Sequence, residues 1–369
     1  MKDTIFVPAF GNRPRNLVGR EEILRMFESG LQSPPGSRER AILLLGQRGS
    51  GKTVLLLEFA EMAQKMGMVV ASPTVVSKEM PERVLEKLSA AGEKYLEKEK
   101  AKVTGGTISV LGFGGGVELT PNEQPSRSFA WRLTDTCSKI NKHGKAVLML
   151  IDEAQASNEE LRQLIVAYQE MVGAGLDVFI VLAGLPMTIS SVLNDHVLTF
   201  LNRASKITLP PLRINDIEAY YRDSFSQLAI SVSDQMIVSA AKETFGSPYL
   251  MQLIGHYITV GAGEDGSVSK VRFQTAIEKA REDFINDICQ TTLAPLSDQD
   301  IVFLVSMTKD VQSTKIADII SRLKCTSSYA QTYKRRLIHA GVIEQKRRGE
   351  VSFAVPYLRD YLISAYADM

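Results

Sequence analysis

The chain has 369 residues, enough for two or three domains, each with a core of its own. It is 44% hydrophobic and 23% charged with a formal net charge of +1, which excludes a disordered polyelectrolyte and any global field that would draw nucleic acid or membrane. No run approaches the roughly 18 apolar residues of a membrane span, and Cys137, Cys289 and Cys325 are too few and too scattered for a disulfide framework or a zinc pattern. The opening "MKDTIFVPAF" contains Asp3 and lacks the apolar core of a signal peptide, so a reduced, cytoplasmic chain without a membrane partner is expected.

Residues 1–38 read as an irregular lead-in with one helical stretch, "REEILRMFESGL". "AILLLG" is a buried strand, glycines interrupt, and "KTVLLLEFAEMAQKMG" has the apolar spacing of a helix. "MVVASPTV" is a second strand, and "PERVLEKLSAAGEKYLEKEKAK" a helix with Pro81 in its first turn. The glycine-rich stretch near 104–119 reads as a hairpin or flap. It lacks the lysine and the following helix that a second phosphate loop needs.

"SFAWRLTDTCSKINKHG" is a helix, "AVLMLIDEAQ" an apolar strand ending in two carboxylates, and "SNEELRQLIVAYQEMVGAG" a helix opened by Ser157 and Glu160 at capping-box spacing. "DVFIVLAG" and "SKITL" are the last strands. Strands alternating with helices predict an α/β fold, a parallel sheet covered on both faces. After "PPL" at 210–212 only helical spacing continues, to residue 292. The expected domains are an N-terminal segment (1–38), an α/β core (39–210), an all-helical domain (211–293) and a C-terminal domain (294–369).

Gly46-Gln47-Arg48-Gly49-Ser50-Gly51-Lys52-Thr53, with Val54 following, fits the Walker A spacing between a strand and a helix. Glycines let backbone N–H groups turn inward around phosphates, and the helix directs its positive end at them. Lys52 then reaches the outer phosphates of ATP or ADP, and the Thr53 hydroxyl is a ligand for Mg2+. Asp152 and Glu153 emerge from a buried strand where open α/β sheets bind ligands. Asp152 is expected in the magnesium shell and Glu153 as the group that activates water. The carboxylate pair, the long helical region and the lack of an obvious acceptor pocket argue against a small-molecule kinase.

These residues resemble the additional-strand catalytic-glutamate P-loop ATPases, and within them the AAA+/STAND group, including archaeal-type and origin-recognition-like ATPases. The resemblance spans about residues 15–290, the ATPase core plus its helical lid. "LVGREEIL" at 17–24 is similar to the signature beside the adenine in these families, which assigns Val18 and Gly19 to the base and Arg20 to the nucleotide or loop; a plain charged helix start is the alternative. Gly246-Ser247-Pro248 resembles the GxP motif of STAND ATPases, which would put Pro248 near the nucleotide, although proline also simply opens helices. Arg203, ahead of the last strand, resembles the trans-acting arginine of origin-recognition-type ATPases and would imply a homo-oligomer; a surface arginine closing a helix is the alternative. Two departures stand out. Ala183-Gly184-Leu185 lies where many AAA+ proteins carry a polar sensor, and the helical region shows no obvious sensor arginine. Both fit a slow or partner-stimulated ATPase.

Residues 297–354 read as three helices and two short strands, resembling a winged helix. Ser297 and Ser313 are expected caps, the third helix ends at Gly341, and "KRRG" is the turn between strands. Residues 321–350 hold eight basic side chains against two acidic ones, a local +6. Lys334, Arg335, Arg336, Lys346, Arg347 and Arg348 fall where winged helices face double-stranded DNA. A solvated basic face, or a winged helix that binds a protein partner, is the other reading. The expectation is an ATP-hydrolysing switch that repositions a winged helix on DNA, or alternatively a regulatory scaffold sensing a protein.

Overall fold

The computed structural model describes residues 3–8, 17–96, 127–154, 158–193 and 198–367. Its first part runs α1 (Glu21–Gln32), β1 (Ala41–Leu45), α2 (Lys52–Lys65), β2 (Val69–Val75), α3 (Met80–Ala91), α4 (Glu93–Leu96), α5 (Phe129–Lys142), β3 (Val147–Asp152), α6 (Glu159–Gly173), β4 (Val178–Gly184), α7 (Pro186–Leu193) and β5 (Ser205–Thr208). The strands pair in parallel in the order β2-β3-β4-β1-β5. Every residue of β3 and β4 is buried, as continuous apolar runs in a sheet covered on both faces must be. Successive side chains go to opposite faces. Leu43, Met149, Ile151, Ile180 and Leu182 join one core; Ile42, Leu44, Leu148, Leu150 and Val181 join the other. Phe27 of α1 stacks on Phe59 of α2 at 3.9 Å between ring centres, fastening both helices to the second face.

The helical region expected as a lid follows as α8 (Ile214–Gln227), α9 (Asp234–Glu243), α10 (Pro248–Gly261) and α11 (Lys270–Phe284), then a π-helical turn at Ile285–Gln290 and the short α12 (Thr291–Leu293). The C-terminal unit comprises α13 (Asp298–Met307), β6 (Thr314–Lys315), α14 (Ile316–Leu323), α15 (Ser327–His339), β7 (Ile343–Arg347), β8 (Glu350–Phe353) and α16 (Leu358–Ala365). Its strands pair antiparallel in the order β6-β8-β7. Buried residues of the lid and of this unit form one continuous apolar cluster, which also includes Ile5 and Phe6. The chain's first described residues therefore pack on the lid. The Phe6 ring lies against Gly255 of α10 and 5.5 Å from that of Phe225, while Asp3 pairs with His256 at 2.8 Å.

Several local expectations change. The cap of α6 is Asn158, whose Oδ1 accepts from the N–H groups of Glu160 and Leu161; Ser157 lies outside the described residues, as does the glycine-rich stretch at 104–119. Ser297 caps α13 with Asp300 closing the box. Ser313 caps nothing: Thr314 and Lys315 pair with β8 instead, and Ser313 donates to Glu350. The strand ladder takes the backbone that a cap would have used. Among the described residues no helix is long and apolar enough to cross a membrane.

Phe6 is 3% exposed. Phe6→Ala is expected to lower unfolding free energy by about 3–5 kcal/mol in urea titrations; an unchanged midpoint would mean that the N-terminal strap carries no packing energy.

Candidate functional site

β1 delivers its last residue to a loop that returns at once into α2. The Gly46 N–H donates to the Gly184 carbonyl at 3.1 Å, tying the loop's first residue to the end of β4. Gly49 (φ 73°) and Gly51 (φ 89°) are left-handed, a conformation that costs other residues about 1 kcal/mol or more. Gln47 Oε1 and Ser50 Oγ are buried without a hydrogen-bond partner among the described residues. With the amino end of α2 behind it, this loop has the geometry of a phosphate cradle.

Lys52 Nζ donates to the carbonyls of Gly46 (2.8 Å) and Gln47 (2.9 Å). Burial pushes its pKa down to about 8, helped by Arg48 and opposed by Asp152 and Glu153. Thr53 Oγ1 donates to Asp152 Oδ2 at 2.6 Å, and Asp152 is 4% exposed. This hydroxyl and carboxylate, both hard oxygen donors, fit Mg2+, which takes one or two protein ligands and leaves the rest to phosphates and water. Asp152 Oδ1 accepts from the Glu153 N–H at 2.9 Å. That bond accompanies a left-handed Glu153 (φ 56°), which stands exposed just past the strand. A left-handed glutamate is strained, and such strain concentrates at functional sites.

Two outside elements grip the loop. Arg20, 4% exposed, donates from one guanidinium nitrogen to Ser50 O (3.3 Å) and from the other to Pro210 O (2.9 Å). Of the two roles open to it, holding the loop is the one its bonds perform. Val18 packs on the lid cluster, and a Cβ at Gly19 would lie 3.4 Å from Leu212, so this segment fills the junction of loop and lid. From the lid, Ser247 caps α10 and Pro248 begins it. A Cβ at Gly51 would lie 3.9 Å from Pro248 Cγ, and one at Gly49 3.5 Å from Tyr249 Cβ. The Gly-Ser-Pro turn thus abuts the phosphate loop. The Tyr249 hydroxyl donates to Asp287 Oδ2 at 2.5 Å, inside the π-helical turn that joins the lid to the C-terminal unit. π-turns within helices often mark functional positions.

The remaining expected site residues differ in how near the loop they lie. Val54 sits half-buried in the first turn of α2, and Arg48 is exposed on the loop. Arg203 is exposed ahead of β5, where Ser205 registers with Ile42 near the start of β1; the phosphate loop leaves from the opposite end of that strand. Lys334 corrects the DNA-facing set. It follows Ala330 and precedes Leu337 on the buried stripe of α15, is 9% exposed, and donates from Nζ to Gln345 at 2.8 Å. Arg336 pairs with the fully buried Asp300 at 2.9 Å, and Lys346 with Glu344 at 2.7 Å. Arg322, counted in the local charge, is bidentate to Asp310. Arg335, Arg347 and Arg348 are exposed, as are Arg336 and Lys346 beside their acidic partners.

Sequence reasoning missed two contacts at the site. Gly341, expected only to end a helix, lies against Gln47 of the phosphate loop and Leu185 after β4. Tyr357, between β8 and α16, donates its hydroxyl to the carbonyl (3.1 Å) and carboxylate (2.8 Å) of Glu243, and its ring meets Phe245 edge-on at 5.2 Å. Neither has a local pattern, because each depends on residues about a hundred or more positions away.

Residues 16–181 match the AAA ATPase domain model, and residues 286–362 match a domain of unknown function, DUF8462. Among solved structures, the Walker-type ATPase PABY2304 of Pyrococcus abyssi is similar with a TM-score of 0.67 at 16% identity, covering 95% of this chain and 97% of that one. The ORC2 protein of Aeropyrum pernix, in ADPNP–ADP complexes, gives 0.64 at 14% identity and 98% coverage of both chains. Cdc6p from Pyrobaculum aerophilum gives 0.50 at 14% identity and 97% of both. The curated proteins contain no match. At these identities the likeness is one of fold: a five-stranded parallel P-loop NTPase sheet with flanking helices.

With its pKa near 8, Lys52 loses its charge as pH rises through that value. Affinity for a nucleoside triphosphate is therefore expected to fall about tenfold between pH 7 and pH 9, with proton uptake on binding. Calorimetry in buffers of different ionisation enthalpy measures both. A flat affinity without proton uptake would show that the Lys52 ammonium is not what the phosphates meet.

Proposed function

We propose that this protein is an ATP-binding and ATP-hydrolysing switch of the AAA+/STAND type, whose nucleotide state repositions a C-terminal winged-helix domain on double-stranded DNA. The observation that carries the reading is that one phosphate loop has both moving candidates beside it: the lid at Pro248 and Tyr249, within reach of a Cβ at Gly51 or Gly49, and the C-terminal unit at Gly341, which lies over Gln47. A nucleotide bound there would alter both contacts together.

In this reading Lys52 and the loop N–H groups hold the phosphates, while Thr53 and Asp152 hold Mg2+, which neutralises phosphate charge when bound. Val18 and Gly19 flank the base. Glu153 orients the attacking water and takes its proton. Arg203 acts only in trans, at the site of a second copy, because its own loop lies at the other end of the strands. The end of β4, Ala183-Gly184-Leu185, offers no polar side chain to align the water, which suits slow hydrolysis.

The winged-helix reading is supported by the order helix, strand, helix, helix, strand, strand in residues 298–353. α15 and the β7–β8 turn then carry Arg335, Arg347 and Arg348 to DNA phosphates. One observation favours a second reading, a scaffold sensing a protein partner without DNA: Lys334, Arg336 and Lys346 are engaged within the unit.

Glu153→Gln is expected to keep ATP affinity within a few-fold while lowering turnover by about 10²–10⁴. Normal turnover would remove Glu153 from the chemistry. Duplex DNA binding is expected to weaken with salt with a log–log slope of about −3, for some three phosphate contacts, and to flatten on replacing Arg335, Arg347 and Arg348 with alanine. No binding at low salt would replace DNA by the protein partner.

A further inference from the structure

Gln47 belongs to two contacts at once. Its carbonyl accepts from the Lys52 ammonium at 2.9 Å, a tie completed by Gly46 O at 2.8 Å. Its side-chain oxygen is buried without a hydrogen-bond partner among the described residues, and the group lying over it is Gly341. Gly341 is itself buried, follows α15 in the left-handed conformation (φ 69°), and would set a Cβ only 2.5 Å from Gln47 Oε1. The same absent Cβ would sit 3.5 Å from Leu185, so the C-terminal unit is seated on the loop and on the end of β4 together. A second attachment, Tyr357 on Glu243, lies just before the Gly246-Ser247-Pro248 turn that abuts the loop from the lid.

Outer phosphates need the ammonium that Gly46 O and Gln47 O now hold. A Gln47 side chain confined beneath Gly341 has fewer rotamers open to it, and so narrows the backbone conformations of Gln47 to those that keep its carbonyl on Lys52. We propose that Gln47 is the relay between the C-terminal unit and the phosphate loop. Seated Gly341 immobilises the Gln47 side chain, the Gln47 carbonyl keeps Lys52, and the docked unit thereby lowers the loop's affinity for triphosphate. By reciprocity, a triphosphate that draws Lys52 away loosens the seat of Gly341 by the same factor. This rests on the reading that the loop binds nucleotide, and it adds the residue through which that binding is regulated. The left-handed backbone at Gly341 disfavours a side chain, and a Cβ there would also displace the Gln47 side-chain oxygen; the two effects predict different behaviour in a double-mutant cycle.

The test titrates a slowly hydrolysed fluorescent ATP analogue into the full chain. Gly341→Ala displaces the Gln47 side-chain oxygen from beneath the seat and is expected to tighten binding about tenfold, within the usual range for coupled sites. In a Gln47→Ala background the atom that clashes is gone, and adding Gly341→Ala should change affinity less than twofold. Gly341→Asn, which tolerates the left-handed conformation, repeats the comparison if the alanine variant does not fold. Unchanged or weaker binding in Gly341→Ala overturns the relay, as does a tightening that persists in the Gln47→Ala background, since that would come from backbone strain alone. Loss of the nucleotide reading itself is distinguishable: wild type would then bind no analogue, or Lys52→Ala would bind it equally well.

Discussion

A loop rich in glycine has no side-chain packing of its own to fix its shape, and here that shape is imposed from outside. Arg20 holds Ser50 O, the Gly184 carbonyl holds Gly46, Pro248 and Tyr249 lean on Gly51 and Gly49, and Gly341 covers Gln47. These contacts come from the N-terminal segment, the sheet, the lid and the C-terminal unit. Glycine matters most at Gly46, Gly184 and Gly341, where a Cβ would meet a neighbouring atom at 2.4, 2.9 and 2.5 Å. Everything else about the site depends on that convergence. The loop stabilises the arrangement of the parts around it as much as they stabilise the loop.

Electrostatics then turns a cradle into a reactive site. Burial of the Lys52 ammonium, whose hydrogen-bond partners among the described residues are two backbone carbonyls, is why its charge is held weakly. Asp152 sits buried at the end of an apolar strand with its two oxygens divided between the Thr53 hydroxyl and the Glu153 N–H. An unpaired buried carboxylate is costly, and these bonds offset part of that cost. They also bend the chain at Glu153 into its left-handed turn, so one carboxylate is fixed inside while the next is left exposed.

Much of this was legible in the sequence. Apolar runs located all five strands of the parallel sheet, and the glycine spacing marked the loop from Gly46 to Thr53, with Asp152 and Glu153 at the end of β3. What failed to read was anything set by tertiary competition. Thr314 and Lys315 joined a strand ladder that two residues do not announce, so Ser313 lost its role as a cap. Lys334 counts as charge in any window, yet helical phase turns it inward beside Ala330 and Leu337. Gly341 looked like a helix terminator because that is its local role; its contact with Gln47 spans nearly three hundred residues. Phe6 shows the same limit, since nothing near it indicates that it would lie on Gly255.

The remaining basic face is small, and the joint between lid and C-terminal unit is a single apolar cluster. If the protein switches as proposed, that shared cluster favours the lid and the C-terminal unit moving as one body about the sheet over release of a tethered domain. Small-angle scattering from the Glu153→Gln protein, saturated in turn with ADP and with ATP, tests that claim most directly. The account predicts a larger radius of gyration with ATP, as the unit seated on Gln47 and Leu185 lifts away. Identical scattering from the two nucleotide-saturated forms would contradict it.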